Sequence, residues 1–292
     1  MRGNVMSRPL AARRPPAPRR LVLAVLTWAG LAVLLVWTLW PVVLMAFTSF
    51  KPGNEIFAIP PRLTPKHWTF GNYRNVFTSS SMPHALVNSI VVGFFVAVAT
   101  LIFSFSAGYA LARFKFRGAR SVALFILVGQ LVPLTVLLLP LYKIVNGMGL
   151  LDTTIGLAFV HLTITVPLVT WMIRNQIAAI PVEVEEAALV DGCTRLDVIS
   201  YVTLPIAAPG LTAAGMFAFL QSWHEFLFAS VFTTSDSART APVALTDFAT
   251  EYHVDWGSTM AASVVLTIPV VIVFIALQRY FVGGLTSGAV KG

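Results

Sequence analysis

Six long apolar stretches, separated by short polar segments, organise the chain. A membrane crossing needs roughly 20 apolar residues, because a helix rises 1.5 Å per residue and the hydrocarbon is about 30 Å thick. The stretches Leu21–Phe47, Ala85–Ala112, Ser121–Leu141, Ile155–Ile173, Ile206–Phe232 and Thr259–Phe281 meet that requirement. They are too long and too continuous for barrel strands, which alternate over about ten residues. In lipid every backbone polar group must be satisfied within the protein, so these stretches predict helices. The expected fold class is an all-α membrane protein with six transmembrane helices.

Composition agrees with that pattern. Hydrophobic residues make up 57% of the chain and charged residues 11%, against about 25% charged in soluble domains. The net charge of +8 is no sign of nucleic-acid binding, since the basic residues flank the spans and form no stripe interleaved with aromatics. Their placement instead predicts orientation. With the N-terminus cytoplasmic, 14 Lys and Arg fall in cytoplasmic segments, among them Arg8, Arg13, Arg14, Arg113, Lys115, Arg117, Arg174 and Arg195. Only 6 fall outside: Lys51, Arg62, Lys66, Arg74, Lys143 and Arg239. Both termini are therefore expected in the cytoplasm and residues 48–84 outside. The apolar run after the basic N-terminus is longer than the 7–15 residues of a signal-peptide core, so it predicts a retained first span. Residues 1–20 are expected to form a disordered basic tail. The single cysteine, Cys193, allows no internal disulfide.

The segment 174–205 is the most informative polar stretch. Pro181 suits the start of a helix, and Glu183, Glu185 and Glu186 lie near its positive end. Gly192 can take the left-handed conformation that ends a helix. Thr194 with Asp197 matches a capping box for a second short helix, on which Leu196, Ile199 and Val202 are expected to share a face. Pro205 marks the next span. Two short helices around a Gly turn suit either a knob that docks in a groove of another protein or a hairpin packed on its own membrane domain.

The run Glu186-Ala187-Ala188, then Asp191-Gly192, then Leu204-Pro205, resembles the EAA loop of permeases of ABC importers. The stretches Phe47–Pro52, Gly71-Asn72-Tyr73, Trp223–Phe226 and Gly284–Gly292 are similar to the MalG-like permease subunits of maltose-type, binding-protein-dependent ABC sugar importers. That resemblance implies the type I ABC importer permease fold, with a permease domain over 21–282, a cytoplasmic coupling loop over 174–205 and a cytoplasmic tail over 283–292. It implies a non-catalytic subunit of a bacterial plasma (inner) membrane importer that moves a di- or oligosaccharide, an amino sugar or a glycerol-phosphate compound. Implied partners are a second, homologous permease, a dimer of ATP-binding cassette ATPases that binds the ATP and Mg, an extracytoplasmic sugar-binding lipoprotein or periplasmic protein, and membrane lipid. Glu186, Ala187, Ala188, Asp191, Gly192, Leu204 and Pro205 would make the ATPase contact.

Polar residues within spans usually face the bundle interior. Asn88, Gln130, His161, Gln221, Trp223 and Glu225 are accordingly candidates for the translocation path. The alternatives are a stand-alone secondary transporter, which would commonly show two related halves, and an intramembrane enzyme. Neither related halves nor a Gly-x-Ser-x-Gly nucleophile motif is present.

Overall fold

The computed structural model describes residues 17–249 and 254–289. In chain order it comprises helices α1 (Ala17–Ser49), α2 (Gly53–Ile56), α3 (Gly71–Thr78), α4 (Met82–Arg113), α5 (Ala119–Gly129), α6 (Leu134–Gly147) and α7 (Thr154–Ala178). Helices α8 (Val182–Val190), α9 (Arg195–Asp197), α10 (Leu204–Trp223), α11 (Leu227–Phe232), α12 (Ala241–Ala244) and α13 (Trp256–Ala289) follow. Among the described residues five helical stretches are long and apolar enough to cross a bilayer: Ala24–Ser49, Met82–Arg113, Thr154–Ala178, Arg195–Trp223 and Trp256–Gln278.

The core is the α4, α7 and α10 bundle. Small and hydroxylated residues let α4 and α7 approach closely, as interhelical packing in lipid favours. A Cβ on Gly108 would lie 3.0 Å from the Arg174 backbone nitrogen. Thr100 and Thr165 share a hydrogen bond of 2.7 Å, and Ser104 donates to the Val166 carbonyl at 3.1 Å. Val169, Ile173 and Ile177 of α7 pack with Ala214, Ala218, Phe219 and Trp223 of α10. By contrast α1 is exposed along most of its length and lies along α13.

Two expected spans are broken. Ser121–Leu141 is not one helix, because α5 stops at Gly129 and α6 starts after Pro133. Proline disfavours the helical region for the residue before it and donates no hydrogen bond, so the break falls where these rules put it. Ile206–Phe232 likewise divides at His224–Phe226 into α10 and α11. The Glu225 carboxylate accepts from the Phe228 and Ala229 backbone nitrogens at 2.8 and 2.9 Å, which starts a new helix. Helix ends also differ from expectation. Helix α1 takes in residues 17–20, assigned above to the disordered tail, whose residues 1–16 lie outside the described residues. Helix α13 runs through residues 283–289 of the expected C-terminal tail, and residues 290–292 lie outside the described residues.

At the end of the bundle away from 174–205, residues 48–84 form a folded cap. Phe50 packs on Trp68, Phe70 and Tyr73. Lys51 Nζ donates to the Arg62 carbonyl at 2.6 Å, and Asn72 bridges the carbonyls of Ser49 and Lys51. Asn75 of α3 reaches Ser258 of α13 at 2.9 Å.

Candidate functional site

Helix α8 carries Glu183 and Glu185 in its first turn, where the helix dipole favours anions. It ends at Val190 with Asp191 as its C-cap, and Gly192 follows at φ +94°, a conformation that strains any residue with a Cβ. The Cys193 backbone nitrogen then donates to the Ala188 carbonyl at 3.1 Å. The chain restarts at Thr194, whose hydroxyl accepts from the Asp197 nitrogen while the Asp197 carboxylate accepts from the Thr194 nitrogen at 2.9 Å. Instead of a separate short helix, α9 passes through a π-helical turn, Val198–Thr203, straight into α10. The Leu204 nitrogen donates to the Ile199 carbonyl, five residues back. That spacing buries Val198 and Thr203; of the three residues expected to share a face, Ile199 and Val202 are half-buried, with Ile199 packed beside the α7–α10 cluster, but Leu196 is 74% exposed.

One buried carboxylate ties this segment to the bundle. Glu185 is 6% exposed and accepts from Arg113 Nε at 3.0 Å, Tyr109 Oη at 3.2 Å and Thr203 Oγ1 at 2.9 Å. Arg113 also donates from Nη2 to the Ile180 carbonyl at 3.0 Å. With this underside fixed, the opposite side is open. Glu186, Ala187, Asp191, Gly192, Leu204 and Pro205 are exposed and Ala188 is half-buried. Val190 and Tyr201 add exposed apolar surface at 87% and 77%.

A second polar group lies inside the bundle. His161 of α7 is 1% exposed. Its Nδ1 lies 2.7 Å from Ser222 Oγ, and its Nε2 lies 3.1 Å from Glu225 Oε2. The imidazole thus joins α7 to the end of α10 and to the carboxylate that opens α11. Among the described residues no group of three or more His, Cys, Asp and Glu is placed to hold a metal ion.

Residues 101–287 match the family described as the binding-protein-dependent transport system inner membrane component. The chain belongs to this family of ABC transporter permeases. It is a non-catalytic, multi-pass inner-membrane subunit of an importer. The permease is 36% identical to the trehalose transport system permease protein SugB of Mycobacterium tuberculosis, over 91% of this chain and 97% of that one. It is 35% identical to the diacetylchitobiose uptake system permease protein DasC of Streptomyces coelicolor, over 89% and 94% of the two chains. A crystal structure of a bacterial ABC transporter involved in import of the acidic polysaccharide alginate contains a chain of the same fold. The TM-score is 0.79 at 22% identity, covering 94% of this chain and 100% of that one.

The residues singled out from the permease sequence fall into separate places. His161 and Glu225 meet. Trp223 is buried two positions before Glu225 but stacks on Phe219 with ring centroids 5.7 Å apart. Asn88 donates to the carbonyls of Ser237 and Arg239, both at 2.9 Å, and so ties α4 to the segment before α12. Gln130 is exposed at the α5–α6 break, and Gln221 is exposed on α10. Sequence reasoning missed Ser222 and the role of Glu185. Ser222 lies three residues before Glu225, a spacing visible in the sequence, although the helix ends at Trp223 and the two meet on His161 across the break. Glu185 stood among three glutamates with nothing to mark it as the buried one.

Proposed function

We propose that this permease is one half of the membrane channel of an ATP-driven carbohydrate importer and pairs with a second, homologous permease. In this reading α5 and α6 together make one of six crossings, both termini are cytoplasmic and residues 48–84 face outward. The segment 174–205 is the cytoplasmic coupling element, with Glu186, Ala187, Ala188, Asp191, Gly192, Leu204 and Pro205 at the contact with an ATPase dimer. That dimer binds ATP and Mg. The extracytoplasmic face receives a sugar-loaded binding protein, consistent with the family's dependence on one. The relatives named above are permeases for trehalose and diacetylchitobiose, which favours a di- or oligosaccharide as cargo.

The observation that carries the coupling assignment is the two-sidedness of 182–205. One side is anchored by Glu185, and the other presents small, acidic and apolar groups to solvent. A helical knob of that composition fits a groove on a partner. Cys193 gives a direct test because it is the only cysteine. A membrane-impermeant maleimide is expected to label it in inside-out vesicles and to leave right-side-out vesicles unlabelled. ATPase bound to the assembled transporter should slow that labelling. Labelling from the outside, or a rate indifferent to the ATPase, would overturn the assignment.

A further inference from the structure

Between the ends of α4, α5 and α7 lies an open cavity of about 390 Å³, on the same end of the bundle as the coupling segment. It is lined by Arg120 and Arg174 together with Leu111, Ala123, Leu124 and Trp171. The two guanidinium groups come from different helices. Among the described residues neither is within salt-bridge distance of a carboxylate. Arg174 Nη1 donates to Asn175 Oδ1 at 3.1 Å, and its guanidinium lies 5.1 Å over the Trp171 ring. Its Nε is shielded from solvent and has no acceptor. Buried donors are almost always satisfied, and leaving one unmade is costly. The charged mouth sits against an apolar flank, since Leu124 is 60% exposed beside it. Exposed Lys115 and Arg117 in the adjoining α4–α5 loop add positive charge.

We propose that this cavity binds the phosphate of an anionic phospholipid, with Arg120 and Arg174 on the phosphate oxygens and an acyl chain along Leu111 and Leu124. Arginine is the residue suited to this because its planar fork meets phosphate with two parallel bonds. The N-terminal end of α5, which opens at Ala119, contributes partial positive charge to the same spot. Trp171, near the end of α7, lines the cavity, and tryptophan is a side chain that favours the headgroup region. Basic pockets between transmembrane helices are known headgroup sites as a class. The site is independent of the coupling assignment, since it needs only a bilayer around this end of the bundle.

The test is native mass spectrometry of the assembled transporter in mild detergent, titrated in parallel with phosphatidylglycerol, phosphatidylcholine and inorganic phosphate. Wild type is expected to retain one more phosphatidylglycerol than the Arg120→Gln/Arg174→Gln variant, with at least ten-fold weaker retention in the variant. Phosphatidylcholine should bind both alike. If the double variant fails to assemble, Ala123→Glu supplies a carboxylate to the two arginines and should expel the lipid in the same way. Equal phosphatidylglycerol retention by wild type and variants overturns the site. A difference seen only with inorganic phosphate assigns the arginines to a soluble anion and overturns the lipid.

Discussion

Replacing Glu185 with alanine removes the acceptor for Arg113, Tyr109 and Thr203 at once. Arg113 stays behind with its side chain 6% exposed. Removing one partner of a buried ion pair costs about 3–5 kcal/mol, mostly because the remaining charge is left uncompensated. Arg113 keeps its bond to the Ile180 carbonyl, which points to the lower end of that range. The loss falls on one contact, the seating of α8 and the π turn against the end of α4. It therefore appears as release of 182–203 and not as unfolding of the bundle. About 3 kcal/mol shifts the balance between seated and released segment by roughly 150-fold. Local openings of this kind are read by reagents that reach only the open form.

Cys193 is half-buried in the seated segment, so its maleimide labelling has a seated-state rate and rises above it on opening. Glu185→Ala should raise the labelling rate several-fold and cut solute uptake, with membrane insertion unchanged. Glu185→Gln keeps an oxygen acceptor and should fall between. Adding Arg113→Met to Glu185→Ala removes the stranded charge and should restore part of the protection. If Glu185→Ala labels within two-fold of wild type and transports normally, the buried carboxylate does not hold the coupling segment and the reasoning fails.

Three further outcomes are expected. Asp191→Lys places a cation at the C-terminal end of α8, where the dipole tolerates it, so it should insert normally yet abolish uptake; normal transport would sink the coupling contact. Glu225→Gln has one oxygen for three donors, the Phe228 and Ala229 nitrogens and His161 Nε2, and should lower the transport rate at least several-fold without loss of protein, as measured by uptake per assembled transporter. Asp152 accepts from the Ser235 and Thr234 backbone nitrogens, and these bonds hold its carboxyl below the usual range. The unfolded state then takes up protons first, so this contribution is complete above pH of about 4 and is lost as pH falls through the lowered value. Protease protection of 233–240 should be flat from pH 8 to 5 and fall only in stronger acid, and Asp152→Asn should blunt that fall.

The apolar runs made the long helices legible, because lipid leaves the backbone no other way to satisfy itself. The turn at Gly192 and the Thr194–Asp197 box were legible for a local reason: each depends on residues within a few positions of one another. The breaks were harder. Pro133 did signal one, but hydropathy continued across it and the run read as a single span. At Glu225 the signal was a carboxylate whose partners are the nitrogens three and four residues on, and it read as a polar group in a pathway, not as a helix start. Glu185 was illegible among its neighbours because its partners Tyr109 and Arg113 lie more than 70 positions away. Arg113 was counted as one more flanking charge for the same reason. The π turn hid the true face of 195–203, since a three-residue spacing assumes regular helix throughout.

Continuity of the backbone links the two polar features. From Arg195 to Trp223 the chain is one helical body of 29 residues, roughly 43 Å long at 1.5 Å per residue. It begins beside the exposed surface proposed to couple to the ATPase and ends at the Glu225 break, where His161 of α7 meets it. A push on the loop is therefore delivered at the far end of a rod longer than the hydrocarbon is thick. The rod has one irregular place, the π turn, a rare element that recurs at functional sites. Thr203, in that turn, is bonded to Glu185. In the proposed coupling role Glu185 would do two things at once: seat the segment 182–203 and stiffen the turn through which a displacement would pass. A looser joint would let the loop move without moving the break, so ATP turnover by the partner would continue while transport stopped. That uncoupled state, hydrolysis without uptake in Glu185→Ala, separates a stiffening role from simple loss of the docking surface, which would lower both together.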